Sequence, residues 1–138
     1  MKSKLIHADY NAESGISQVA IENRNGCFFG FAQCHEEEEA PSDYAGCRIA
    51  EARAHIKSAQ YEKNILNWKI KELEDFEKIL KSLKDYNPDC LEARRLRRRI
   101  HELKAEKKAK VALIASMKNA VTKSLDERDA YFAKKKSK

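Results

Sequence analysis

Apolar and polar residues alternate with the two-residue period of a strand over the first third of the chain. Between Ile16 and Glu22, Ser17, Val19 and Ile21 fall on one face and Gln18, Ala20 and Glu22 on the other. Between Cys27 and Cys34, Phe29 and Phe31 oppose Phe28, Gly30 and Ala32. Lys2 to Tyr10, rich in Leu, Ile and Tyr, reads as a third strand and ends in a turn-like stretch, Asn11 to Gly15. Asn25-Gly26 is a hairpin signal, because both residues tolerate positive φ. The pattern predicts an antiparallel meander of three strands, which buries too little alone and needs a helix on one face.

Beyond an acidic stretch, Glu36 to Pro41, the period changes. Ser42 and Asp43 are suitable N-caps, and from about Gly46 to Asp85 neither Pro nor a further Gly interrupts the chain. Ile49, Ala52, Ile56, Ala59, Leu66, Ile70, Leu73, Leu80 and Leu83 recur at helical spacing, with Phe76 beside the stripe. Tyr86-Asn87-Pro88-Asp89 then breaks the helix: Pro88 disfavours helical geometry at Asn87, and Asp89 can cap a new helix. This second helix is predicted from about Asp89 to Ala133. Its stripe is Leu96, Ile100, Leu103, Val111, Ile114, Met117, Val121, Leu125 and Phe132. The short hinge implies antiparallel helices. The expected fold is therefore α+β: a small N-terminal antiparallel β-meander (1–45), then two long antiparallel α-helices (46–138) with a hinge at about 86–89.

The chain has 138 residues, 36% of them charged, and so suits a highly solvated fold. Such long helices with wide stripes point to self-association, with Trp68 as an anchor buried between chains. Lys63, Lys107, Lys110 and Arg128 fall on or beside the stripes. Either their stems pack while their heads snorkel outward, or some reach a shared anion pocket. No apolar run is long enough for a membrane span, and the N-terminus lacks the apolar run of a signal peptide. The expectation is an unexported protein with reduced thiols. Cys34, His35 and Cys47 fit no strong zinc pattern, so no metal is expected.

Net charge is +6, unevenly distributed. Residues 1–45 carry three basic and eight acidic groups, whereas residues 46–138 carry 25 basic and 14 acidic groups. The positive charge belongs to the helices and implies an anionic partner. Its densest point is Arg94-Arg95-Leu96-Arg97-Arg98-Arg99, where Arg94/Arg98 and Arg95/Arg99 are i,i+4 pairs. Guanidinium forks match phosphate oxygens, and the start of a helix favours anions but disfavours cations. Arginines placed there gain something other than helix stability, unless they form a solvated basic face. Phe76 can stack a base or simply pack, and Asn87 can read an adenine edge. No phosphate-binding loop, nucleophile elbow or metalloprotease helix motif occurs, and the histidines at 7, 35, 55 and 101 are scattered. Neither catalysis nor a cofactor is expected.

Several segments together resemble the first type of phage Thoeris anti-defence proteins. They are the opening Met1 to Tyr10, Gly30 to His35, Gly46 to Glu51 with Arg53-Ala54 and Ile56-Lys57, and Asp75 to Lys78. The resemblance spans nearly the whole chain and includes the order of sheet and helices. The family pattern places Pro after the residue matching His35, whereas here Glu36 to Glu39 stand next. The resemblance implies a molecular sponge in the cytoplasm of the infected bacterial host. It would bind cyclic ADP-ribose isomers such as glycocyclic ADP-ribose, and cyclic di- or trinucleotides, without cleaving them. It also implies homodimers or larger assemblies, up to hexamers, with ligand pockets between chains. The family's late-helix aromatic, hinge Asn and second-helix arginines correspond to Phe76, Asn87 and, within the cluster, Arg94, Arg95, Arg98 and Arg99. Competing expectations are a basic helical nucleic-acid-binding protein, motivated also by the Lys134 to Lys138 tail, and a coiled-coil adaptor. The tail itself reads as disordered.

Overall fold

The alternating segments form a three-stranded antiparallel sheet in the order β1-β2-β3, followed by two helices, the α+β arrangement expected. The structure is a computed structural model and describes residues 2–11, 13–33 and 43–136. The elements are β1 (Lys4–Asn11), β2 (Ile16–Asn23), β3 (Gly26–Gln33), α1 (Asp43–Lys81) and α2 (Leu91–Lys136). α2 carries the helix through Lys136, so the basic tail is helical to that point rather than disordered.

Side-chain amides close both turns of the sheet. Asn11 Oδ1 accepts from Glu13 N (2.9 Å) and Ser14 N (3.2 Å), and Gly15 leaves that turn with φ 71°. Asn23 Oδ1 accepts from Asn25 N at 2.9 Å. Pairing of Asn23 with Gly26 makes Arg24-Asn25 the two loop residues. Positive φ falls on Gly26 (124°) and on no described non-glycine residue, so Asn25 does not adopt the conformation expected of it. The turn is made by Asn23's side chain, with Gly26 absorbing the backbone twist.

Two compact units divide the chain: one combines residues up to Ala59 with Ile114 onward, the other is Gln60–Leu113. In the first unit the sheet turns Ser17, Val19, Ile21 and Asn23 towards α1, together with their β3 neighbours Phe28, Gly30 and Ala32. Gly46, Ala50, Ala54 and Ser58 meet this face as an i,i+4 ridge of small residues. Gly30 allows the approach: a Cβ there would overlap the Ala50 carbonyl oxygen and lie 2.7 Å from Ala54 N. Val19, Ile21, Ala32, Ala50 and Ala54 form the buried cluster. At the ends of the contact, Asn23 Nδ2 donates to the buried Ser58 Oγ at 2.8 Å, and an Arg53 guanidinium N–H donates to the Phe31 carbonyl at 2.7 Å. Of the Ile49-Ala52-Ile56-Ala59 stripe, Ile49 packs against this same cluster. In that stripe Ile56 and Ala59 pack on Ile114, Met117 and Val121 of α2.

In the second unit α1 and α2 run antiparallel, with ion pairs from Glu62 to Lys110 and from Glu74 to Lys104 (3.5 Å). Ile70, Ala93, Ile100 and Leu103 are buried there. Leu83 and Val111, assigned to the buried stripes by spacing, are exposed. Of the cations on the stripes, Lys110 is held by Glu62 and Arg128 donates to the Gln33 carbonyl at 3.1 Å, while Lys63 and Lys107 are half-buried.

Candidate functional site

Pro88 and an Asx turn build the hinge between α1 and α2. Asn87 Oδ1 accepts from Asp89 N at 3.0 Å, and Asn87's carbonyl accepts from Cys90 N at 3.1 Å. α2 starts at Leu91, two residues later than expected, with Cys90 rather than Asp89 as the N-cap. The Cys90 carbonyl accepts the first helical bond from Arg94 N (3.1 Å), and its Sγ lies 3.5 Å from Ala93 N. The Asx turn occupies Asn87 Oδ1, so the exposed side chain offers its Nδ2 donors to any ligand.

A cleft of about 370 Å³ opens beside this hinge, lined by Leu80, Leu83, Lys84, Tyr86, Asn87 and Cys90, with Asp85 and Glu92 contributing carboxylates. Asn87 is the expected site residue that lines it. Phe76 stands outside on α1 and is 51% exposed. Arg94, Arg95, Arg98 and Arg99 project into solvent from the first turns of α2. Arg99 lies 3.5 Å from Glu102. The side chains of Arg94, Arg95 and Arg98 form no hydrogen bond or ion pair among the described residues. Arg97, which falls outside the i,i+4 pairs and the candidate site residues, donates to the Pro88 carbonyl at 2.7 Å and ties the hinge to the helix.

The structure also shows a feature that a single-stripe reading missed. Tyr61, Trp68, Phe76 and Ile79 are all exposed, Trp68 by 62% and Ile79 by 60%. Their spacings of 7, 8 and 3 residues place them along one side of α1. Ile70, buried against α2, lies on the opposite side. This part of α1 therefore carries two apolar faces, of which α2 covers one. Trp68, expected as an anchor between chains, is uncovered in the single chain.

Cys34, His35 and the acidic stretch from Glu36 lie outside the described residues. Cys47 is half-buried against the sheet core. No group of three or more metal-ligating side chains occurs among the described residues, and no described helix is long and apolar enough to cross a membrane. No family model, curated protein or solved structure matches the chain.

Proposed function

We propose that this protein is a sponge for cyclic ADP-ribose isomers in the cytoplasm of an infected bacterial cell, holding the ligand without cleaving it. The observation that carries the reading is the set of guanidinium groups of Arg94, Arg95 and Arg98, which are uncommitted and crowd the start of a helix. Cations at that end oppose the helix dipole, so their clustering is accounted for by a polyanionic ligand such as a pyrophosphate. Asn87 Nδ2 supplies a donor for an adenine ring nitrogen, and Phe76 supplies a face on which a base stacks. The similarity of Met1–Tyr10, Gly30–His35 and Gly46–Glu51 to Thoeris anti-defence proteins narrows the ligand class. It also extends that class to cyclic di- or trinucleotides.

Self-association completes the proposed site. The uncovered apolar face running from Tyr61 to Ile79 includes Phe76, so a second copy packed there brings its own groups beside the aromatic ring. A ligand enclosed between copies leaves slowly, which is the property a sponge needs.

Titration of the protein with glycocyclic ADP-ribose at physiological salt tests the proposal. Saturable binding is expected, falling by about 100-fold or more when Arg94 and Arg98 are both changed to Ala, since each loses a charge-assisted contact worth about 1.5–3 kcal/mol. If the protein instead binds nucleic-acid polymers with a steep salt dependence and takes no cyclic nucleotide, the arginines serve a phosphate backbone and the proposal is wrong.

A further inference from the structure

The sheet-bearing unit holds a second cleft, of about 580 Å³, between the early turns of α1 and the late turns of α2. Its volume is in the range of small-molecule sites. Ile49, Met117 and Val121 form its walls, and Ala52 and Ala120 leave the space between them. The charges are grouped. α1 contributes Arg48 and α2 contributes Arg128, and the antiparallel order of the two segments puts both at the same end of the cleft.

Arg128 is positioned as a receptor for an anion. A terminal N–H donates to the Gln33 carbonyl at 3.1 Å, which fixes the plane of the guanidinium. Its Nε is buried and ion-paired with the Asp129 carboxylate at 3.6 Å. The other terminal nitrogen makes no hydrogen bond or ion pair among the described residues, so its N–H groups can donate to an incoming oxygen. His55 also lines the cleft, with its Nε2 3.7 Å from the Glu51 carboxylate.

We propose that this cleft binds a small amphiphilic anion, with its apolar or aromatic body between Ile49, Met117 and Val121 and its phosphate, sulfonate or carboxylate head on Arg48 and Arg128. The site lies in a different unit from the hinge arginines and stands or falls independently of them.

Fluorescence titration with 8-anilinonaphthalene-1-sulfonate and with the neutral N-phenyl-1-naphthylamine tests this, because the two probes share a body and differ in the charged head. The expected result is one saturable sulfonate site per chain, about tenfold or more tighter than the neutral probe. Arg128→Gln should erase that preference. Ala120→Trp, at an exposed position on the cleft wall, should block both probes while leaving the circular dichroism spectrum unchanged. Arg98→Ala should bind the sulfonate as the wild type does. Equal affinity of the wild type for the two probes would overturn the proposal. So would sulfonate binding that survives both Arg128→Gln and Ala120→Trp.

Discussion

Gly30→Ala tests the contact between sheet and helix most sharply. The added Cβ would fall on the Ala50 carbonyl oxygen, 2.8 Å from its carbon and 2.7 Å from Ala54 N. All three are backbone atoms in the early turns of α1, so no side-chain rotation relieves the overlap. The helix must lift off the sheet, separating Ala50 and Ala54 from Val19, Ile21 and Ala32, all of them buried. Overpacking of a core costs about 1–3 kcal/mol, and a clash with backbone on both sides belongs at the top of that range or beyond it. In a domain of this size that is a loss of roughly 10 °C in Tm. Gly26→Ala is the comparison. A Cβ there meets nothing within 4 Å but must adopt φ 124°, a strain of about 1–3 kcal/mol with no loss of packing. Urea unfolding followed by far-ultraviolet circular dichroism should therefore rank Gly30→Ala below Gly26→Ala. A Gly30→Ala protein within about 1 kcal/mol of wild type would refute the close contact.

Other expectations rest on single contacts. Asn23→Ala should cost about 1–2 kcal/mol in the same assay, because it removes both the turn acceptor and the bond to the buried Ser58 hydroxyl. Cys90→Ser should hold or raise Tm, whereas Cys90→Ala should lower it by the equivalent of about 1 kcal/mol, since Ser is the stronger N-cap. Paired changes Trp68→Lys and Ile79→Glu, both at exposed positions, should leave helicity intact but shift sedimentation to a monomer if that face joins copies of the chain. An unchanged sedimentation coefficient would direct self-association elsewhere.

The strand faces were legible because a period of two admits only two assignments. The order Ser17, Val19, Ile21 against Gln18, Ala20, Glu22 therefore survives intact in the sheet. Both long helices were legible from apolar spacing and the Pro88 break. What escaped was geometry that no periodic template scores. The Gly46-Ala50-Ala54-Ser58 ridge is nearly invisible to a hydrophobicity pattern, since its residues matter for being small. A single stripe along α1 does not distinguish its two apolar faces, and α1 ends at Lys81, so Leu83 lies in the turn beyond the helix rather than on its buried side. At the hinge, Asp89 is the better cap by residue type, but it takes part in the Asx turn from Asn87, and the N-cap falls one residue later, on Cys90. Among the arginines, the bond from Arg97 to the Pro88 carbonyl depends on how the chain folds back at Pro88, which the run of charge does not encode. The pairing of Arg48 with Arg128 across a cleft joins residues far apart in the chain, and only the antiparallel packing of the helices reveals it.

The central claim is sequestration without cleavage, and one measurement reaches it directly. Purified protein is saturated with glycocyclic ADP-ribose, freed of unbound ligand, denatured by heat, and the released nucleotide is resolved by chromatography. The account predicts stoichiometric recovery of the intact cyclic molecule from wild type and almost none from the Arg94→Ala, Arg98→Ala double variant. Recovery of a linear or hydrolysed product would contradict it, because the protein would then be an enzyme. An empty wild-type protein would contradict it equally, because the uncommitted arginines would then serve some other anion.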